Sequence, residues 1–322
     1  MHSRYGPPDV VRVVDVPVPA VKDDQVLVKV HATTVNRTDC GYRGAQPFFI
    51  RLFTGLRRPR VTILGNEFAG QVEAVGGAVT TFAVGDRVFG YDDSACGAHA
   101  QYLAIRENAS LALIPENLTY AEAAPATEGS HYALACIRKA KIAAGQRVLV
   151  NGATGAIGSA AVQLLAARGV HVTAVADTQH VELVRGLGAD RVIDRAAEDF
   201  TKDDETYDVV LDAVGKSTFG QCRPILAPGG SYLSSELGPG GQNPLLALVT
   251  PLLPGKSVLF GYPRHDQAMI NDFKDLMAAG RFRPVIDRSY PLTEIVEAYR
   301  YVETGRKVGS VVITVEHRPA VH

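Results

Sequence analysis

The early part of the chain alternates apolar and polar positions in short runs. Residues 10–15 and 25–31 carry alternating or β-branched side chains, and residues 70–76 and 85–90 form further runs bounded by glycine. Alternation with a period of two, interrupted at glycine turns, is typical of β-strands. Because no sustained helical period occurs before about residue 115, the pattern predicts a β-rich, barrel-like first domain.

The pattern changes after Pro115. Residues 120–141 have helical character, and apolar strands then alternate with helical segments such as 160–168 and 181–187. Repeated strand–helix alternation predicts a parallel, doubly wound sheet. The strands predicted for this sheet are 147–151, 170–176, 191–193, 209–214, 230–234 and 257–262.

The end of the chain returns to a β pattern. An amphipathic helix is predicted at 267–279, and strand-like runs follow at 284–287 and 310–316. We expect this tail to rejoin the β-rich first domain. The predicted organisation is therefore a β-domain of residues 1–116 and 284–322, split around a dinucleotide-binding domain of residues 117–283.

A glycine-punctuated turn joins the first strand of the predicted sheet to an alanine-rich helix. Such a turn brings backbone N–H groups against a pyrophosphate at a helix N-terminus. We expect Gly155 to let the backbone approach the phosphates and Gly158 to allow close helix–strand packing. The alternative is a tight turn whose glycines serve packing alone. The candidate nucleotide-binding residues are Gly152, Ala153, Thr154, Gly155, Ala156, Ile157 and Gly158, with Val214 at the end of a later strand.

Asp177 follows the second strand of this sheet, about twenty residues beyond the last glycine, where an acidic side chain accepts from the ribose 2′-OH of NAD. A carboxylate there repels a 2′-phosphate, and neither Gln179 nor His180 is a permanent cation. The sequence therefore favours NADH over NADPH. Two alternatives stay open: Asp177 caps the next helix, or Arg185 reaches a 2′-phosphate.

Composition narrows the possible partners. The chain is 46% apolar and 21% charged with a formal net charge of −1, which argues against a nucleic-acid or anionic-membrane partner. The short basic run Arg57, Arg58 and Arg60 is typical of a solvated loop. The four cysteines are widely spaced without a CxxC pair, and the first residues lack the apolar core of a signal peptide. We therefore expect reduced thiols and a cytoplasmic protein.

Several segments together resemble the medium-chain dehydrogenase/reductase superfamily. They cover nearly the whole chain in the family's order: residues 65–76, 84–88, 97–102, the glycine turn, 187–190, 212–215 and 226–230. The resemblance implies a GroES-like β-barrel domain split around a Rossmann domain. It also implies a homodimer formed through the Rossmann domain, with residues 239–256 near the interface or over the substrate site.

The resemblance also bears on zinc. Asn36 and Asn66 stand where the zinc alcohol dehydrogenases carry a cysteine and a histidine, and the third ligand position, around Ala126 and Thr127, has no cysteine. Asparagine is a poor zinc ligand beside thiolate and imidazole. The sequence therefore predicts no zinc. Val35, Asn36 and Asp39 resemble the motif of the zinc-free quinone oxidoreductase and enoyl-reductase branch.

This branch implies hydride transfer from NAD(P)H to a quinone or an α,β-unsaturated carbonyl. Asn36 is a candidate hydrogen-bond donor to a carbonyl or to the nicotinamide ribose, Tyr42 a proton donor or stacking platform, and Thr127 a nicotinamide contact. Lys307 resembles the family's Lys-x-Gly and is a candidate cofactor contact. The plainer alternatives are a turn or buried-network role for Asn36, packing for Tyr42 and a solvated Lys307. An enoyl-thioester reductase, or a nucleotide-binding sensor with little turnover, remains an alternative function.

Overall fold

The structure is a computed structural model that describes residues 1–261, 263 and 266–317. Its β-strands are β1 (Gln25–Val35), β2 (Glu67–Val75), β3 (Arg87–Tyr91), β4 (Tyr102–Arg106), β5 (Ser110–Leu113), β6 (Arg147–Asn151), β7 (His171–Ala176), β8 (Arg191–Asp194), β9 (Tyr207–Asp212), β10 (Leu226–Ser234), β11 (Ser257–Leu259), β12 (Ile286–Pro291) and β13 (Ser310–Thr314). Its α-helices are α1 (Arg37–Gly44), α2 (Arg51–Thr54), α3 (Tyr120–Ala123), α4 (Glu128–Lys139), α5 (Ala156–Ala166), α6 (Val181–Gly186), α7 (Phe219–Cys222), α8 (Gln242–Val249), α9 (Gln267–Ala278) and α10 (Ile295–Glu303).

The chain forms two compact units. One comprises Met1–Glu128 and His265–His322, and the other Gly129–Arg264. The predicted domain bounds fall at 116/117 and 283/284. The segments between the two sets of bounds pack against the first unit, since α3 contacts β1 and β2, and α9 contacts β5.

A largely antiparallel sheet with strand order β12-β13-β1-β2-β3-β5, and β4 paired to β1, forms the first unit. Apolar residues on one face of β1, Val26, Val28 and Val30, are buried against Phe68 and Val72 of β2. Alternating burial of this kind is why the period-two pattern forms a sheet here. β13 pairs antiparallel with β1, so the expected return of the tail to the first unit is confirmed.

The strand predicted at residues 10–15 is wrong. Pro8–Val10 form a single 3-10 turn, and the chain has no strand from there to Lys22. Prolines at 7, 8, 17 and 19 stand on both sides of this run, and their missing N–H groups would prevent a strand from extending beyond it. Of the valines that suggested a strand, Val13 and Val14 are exposed to solvent, while Val11 is buried in an apolar cluster without pairing to a strand.

Six parallel strands form the sheet of the second unit, in the order β11-β10-β9-β6-β7-β8. Numbered within this sheet, the strands run 6-5-4-1-2-3, which is the Rossmann order. Val148, Leu149 and Val150 of β6 are fully buried, as expected for a parallel sheet covered on both faces. The last predicted strand, 257–262, is shorter in the structure, ending at Leu259, and Tyr262 lies outside the described residues.

Candidate functional sites

The glycine turn occupies the connection from β6 into α5. Gly152 has a φ of +79°, and a Cβ there would lie 2.4 Å from Cγ1 of Val214. A Cβ on Gly158 would lie 2.2 Å from the carbonyl oxygen of Gly152, so the first turn of α5 packs directly on the end of the strand. At Gly155, in contrast, the nearest atom is 3.6 Å away. The turn thus needs glycine at 152 and 158 for internal contacts and leaves the backbone open at 155.

The N-terminus of α5 fits an anionic ligand. Gly155 is its N-cap, no side chain caps it, and no acidic residue lies in the first turn. The first N–H groups of a helix have no partners within the helix and carry partial positive charge, so they bind phosphate oxygens readily. Hydrogen bonds also hold the end of β9 beside the end of β6. Asn151 Nδ2 donates to Asp212 Oδ1 at 3.1 Å, and the same oxygen accepts the N–H of Val214 at 3.2 Å.

Asp177 follows β7 and forms an ion pair with Arg195, which follows β8. It makes no side-chain capping bond to the 3-10 turn that begins after it, so the capping alternative is wrong. Arg185 is paired with Glu182 at 2.5 Å. Arg195 was not among the residues predicted from the sequence. The signal was available, because adjacent parallel strands end at the same edge of a sheet and β7 and β8 pair with Ala176 opposite Asp194.

A buried polar cluster lies in the first unit where β1 ends and β2 begins. The strands are antiparallel, with Thr33 opposite Phe68, so the residue after β1 and the residue before β2 meet. Asn36 Nδ2 donates to Asn66 Oδ1 at 2.7 Å. Asn36 also caps α1, accepting the N–H of Asp39 at 3.0 Å in a reciprocal capping box. The Asn-x-x-Asp spacing could have predicted α1 from sequence.

Glu67 is the hydrogen-bond acceptor at the centre of this cluster. Its carboxylate accepts from Thr34 Oγ1 at 2.5 Å, from Thr127 Oγ1 at 2.9 Å and from the N–H of Glu128 at 2.8 Å. The N–H of Thr127 donates to it as well, at 3.3 Å. Burial raises the pKa of Glu67. Thr127, a candidate nicotinamide contact, is therefore held by a side chain sixty positions earlier in the chain.

Two more carboxyl groups are buried here. Glu128 accepts from Thr38 Oγ1 at 2.5 Å and from Asn66 Nδ2 at 3.4 Å, and burial, followed by the charge of Glu67, raises its pKa to about 8. Asp39 accepts the N–H of Gly65 at 3.0 Å, and burial raises its pKa to about 7. Glu128 was not among the residues predicted from the sequence. The sequence signal was that Glu128 is the only acidic residue in α4 and stands at its start.

We expect Glu128→Gln to change how stability depends on pH. Because the folded-state pKa of Glu128 is about 8 against an ordinary value of 4.5, its ionisation opposes folding as pH rises between these values. The glutamine stays neutral, so the variant should gain roughly 1–3 kcal/mol over the parent between about pH 5 and pH 8. Urea unfolding across this range measures the difference. Glu67 and Asp39 also lie in this cluster, but both proteins contain them, so the comparison isolates the effect of Glu128. A gap that stays constant with pH would contradict the assignment.

The two remaining candidates also lie in the first unit. Tyr42 is half-buried and packs against the apolar cluster that includes Val35 and Tyr299. Lys307 Nζ donates to the carbonyl oxygen of Gly309 at 2.5 Å, and burial lowers its pKa. The surroundings of Tyr42 are thus those of a packing residue. Lys307 is partly buried rather than fully solvated.

The residues at the zinc positions do not fit a zinc ion. Asn36 and Asn66 use their amides to bond each other, and Thr127 bonds Glu67. Amide and hydroxyl oxygens are weak ligands for this metal. Within residues 1–261, 263 and 266–317, no group of three or more His, Cys, Asp or Glu side chains is arranged to hold a metal ion.

The fold and the turn define a class of protein: a Rossmann dinucleotide-binding unit inserted into an antiparallel β unit. Residues 22–118 match the family model described as "Alcohol dehydrogenase GroES-like domain", and residues 187–313 match "Zinc-binding dehydrogenase". The second match begins beyond the positions of Asn36 and Asn66. It therefore carries no information about zinc at those positions.

Individual relatives refine this class. The chain is 32% identical to a 2-methylene-furan-3-one reductase of Solanum lycopersicum, over 97% of this chain and 77% of the relative. It is 30% identical to a chloroplastic NADPH-dependent alkenal/one oxidoreductase of Arabidopsis thaliana, over 97% and 78%. The solved quinone oxidoreductase of Coxiella burnetii superposes with a TM-score of 0.86 at 25% identity, covering 98% of both chains. The chain belongs to the medium-chain dehydrogenase/reductase superfamily, in its quinone oxidoreductase-like branch.

Proposed function

We propose that this protein is a zinc-independent, NAD(P)H-dependent reductase of quinones or α,β-unsaturated carbonyls. The observation that carries the proposal is the glycine turn on a Rossmann sheet, in a chain whose zinc positions hold two asparagines bonded to each other. The relatives named above, a 2-methylene-furan-3-one reductase, an alkenal/one oxidoreductase and a quinone oxidoreductase, support it.

We propose the following roles for the candidate residues. A reduced nicotinamide, when bound, supplies the hydride. The turn from Gly152 to Gly158 would hold the pyrophosphate, with Asp177 on the ribose and Val214 and Lys307 as further nucleotide contacts. Asn36 gives one amide N–H to Asn66, and an amide nitrogen carries two. We assign the second N–H to a substrate carbonyl oxygen, with Tyr42 and Thr127 as candidate neighbours of the reacting groups.

Steady-state oxidation of NADH and NADPH with quinones, enones and enoyl thioesters tests the proposal. We expect turnover on quinones or enones and no stoichiometric zinc by elemental analysis. Faster turnover on enoyl thioesters would favour the alternative of an enoyl-thioester reductase. Tight nucleotide binding without turnover on any acceptor would favour a nucleotide-binding sensor, and one zinc per chain would overturn the zinc-independent reaction.

We also propose that NADH is preferred over NADPH, because the Asp177 carboxylate repels a 2′-phosphate. Arg195 offsets part of this charge, since it pairs with Asp177. Asp177→Ser should therefore raise the NADPH/NADH ratio of kcat/KM, roughly tenfold. Arg195→Gln should lower it by removing the cation available to a 2′-phosphate. A parent enzyme that uses NADPH at least about tenfold better than NADH would overturn this preference.

A homodimer through the second unit is also proposed. The side chains of Leu245, Leu248 and Leu252 are exposed in the segment that leads to β11, the last strand on its side of the sheet. Exposed apolar clusters beside a sheet edge are typical of subunit interfaces. Sedimentation equilibrium should give the mass of two chains.

A cytoplasmic location is proposed as well. The four cysteines are buried and unpaired, as expected where thiols stay reduced. In the part of the chain that the structure describes, no helix has the length and apolar character to cross a membrane.

A further inference from the structure

The segment of residues 46–60, here called the 46–60 loop, exposes large apolar side chains. Phe48 is 72% exposed and Phe53 76%. Burying such side chains is ordinarily favourable, and contiguous exposed groups of them mark interaction surfaces. The exposed apolar residues of this loop are Phe48, Phe49, Leu52, Phe53 and Leu56.

The same loop is strongly basic. Arg57, Arg58 and Arg60 are exposed, and the sequence between Cys40 and Asn66 contains no aspartate or glutamate. These three arginines form no ion pair with the described residues of the chain. Their charge is therefore available to an anionic partner.

Hydrogen bonds and ring contacts hold the backbone of the 46–60 loop against the rest of the first unit. Tyr5 Oη is 2.8 Å from Thr54 Oγ1 and donates to the carbonyl oxygen of Gly55 at 2.7 Å, while the N–H of Arg60 donates to the Thr54 carbonyl at 2.8 Å. Arg51 stacks over the rings of Tyr5 and Phe48, 5.0 Å from each centroid. The fold thus holds the loop in place while its apolar side chains face outward.

A short helical segment carries these side chains. Phe48–Ile50 form a 3-10 turn that continues into α2, Arg51–Thr54. Phe48, Phe49, Leu52 and Phe53 are all exposed on this one segment. Aromatic and leucine side chains on one surface, flanked by arginines, are the pattern of a segment that lies in the interface of a bilayer.

From these observations we propose that the 46–60 loop docks the protein on the surface of an anionic lipid bilayer. The apolar side chains enter the headgroup region, and Arg57, Arg58 and Arg60 pair with lipid phosphates and carboxylates. The formal net charge of −1 for the whole chain argued against such a partner. It does not describe this loop, where the charges are of one sign.

Comparison with a second exposed apolar surface indicates why a membrane, rather than a protein, fits the 46–60 loop. Residues 245–253 also expose leucines and a valine, but no charged residue occurs from 237 to 255. That neutral surface fits a second protein chain, as proposed above for the dimer. The 46–60 loop differs from it by its arginines, which a bilayer of anionic lipid complements.

Vesicle sedimentation with the full chain tests this proposal. We expect binding to vesicles of phosphatidylcholine with phosphatidylserine, at least about tenfold weaker binding to phosphatidylcholine alone, and loss of binding at high salt. Two triple variants should each reduce binding to the anionic vesicles at least about tenfold: Phe48→Ser/Phe53→Ser/Leu56→Ser and Arg57→Gln/Arg58→Gln/Arg60→Gln. Circular dichroism verifies that both remain folded, as exposed positions allow.

The matched control is Val13→Ser/Val14→Ser/Val16→Ser, which removes three exposed apolar side chains outside both the 46–60 loop and the proposed dimer surface and should leave vesicle binding unchanged. Equal binding to neutral and anionic vesicles, or an equal loss in the control, would overturn the proposal. So would loop variants that change KM for a water-soluble acceptor but not sedimentation, because the loop would then recognise an acceptor. Sedimentation does not involve turnover, so its result is independent of the proposed function.

Discussion

Gly158→Ala is expected to weaken the binding of NADH and NADPH together by more than about tenfold. The added Cβ would lie 2.2 Å from the carbonyl oxygen of Gly152 and 2.8 Å from Cα of Ala153. Both are backbone atoms, so relief requires α5 to move away from the strand. That movement displaces the N–H groups at the start of α5, which the proposal places on the pyrophosphate. Titration followed by the fluorescence of the reduced nucleotide measures both affinities.

Gly186→Ala is the matched control for this variant. Gly186 also lies in a helix of the same unit, α6, and a Cβ there would meet no atom within 4 Å. Alanine favours helix over glycine by about 1 kcal/mol, so the control should bind both nucleotides normally and unfold at an equal or higher temperature. If folded Gly158→Ala protein binds nucleotide as tightly as the control, the turn does not hold the pyrophosphate.

Glu67→Leu is expected to lower the free energy of unfolding by about 3–5 kcal/mol. The substitution removes the acceptor of two threonine hydroxyls and two backbone N–H groups in a place where no water replaces it, since Glu67 is 1% exposed. Urea unfolding measures the loss. Glu67→Gln keeps one acceptor oxygen and the shape of the side chain, so its loss should be smaller than that of the leucine variant.

Glu73→Leu provides the comparison. Glu73 lies on the same strand, β2, with its side chain exposed, so its replacement should change stability by no more than about 0.5 kcal/mol. Similar losses at positions 67 and 73 would mean that the hydrogen bonds around Glu67 contribute little to the stability of the first unit.

The polar cluster and the glycine turn differ in how far they were predictable. The turn was predictable because the local backbone geometry requires glycine at two of its positions. Gly152 has a positive φ, and Gly158 lies in close contact with the end of the strand. The cluster joins positions far apart in sequence, since Asn36 bonds Asn66 and Glu67 bonds Thr127. Local pattern contains no information about such partners, so Glu128 was missed although Asn36 and Thr127 were named. Their catalytic roles remain predictions.

The charged residues also differ in how far they were predictable from the sequence. Asp177 was found from its distance to the glycines, but its partner Arg195 depends on β7 and β8 being neighbours. In the 46–60 loop, the arginines Arg57, Arg58 and Arg60 are evident from the sequence, but only the folded chain shows that the phenylalanines beside them face solvent.

The sequence by itself determined the split β and Rossmann organisation, the glycine turn between the first strand and helix of the Rossmann sheet, the helix predicted at 267–279 and the superfamily, because each depends on backbone geometry, side-chain period or ordered motifs along the chain. It erred at residues 10–15, where a β-branched run lacked a strand partner. Only the tertiary structure decided the bonds around Glu67, the raised pKa of Glu128 and the pairing of Asp177 with Arg195. These depend on burial and on which distant segments meet, and packing of the whole chain sets both.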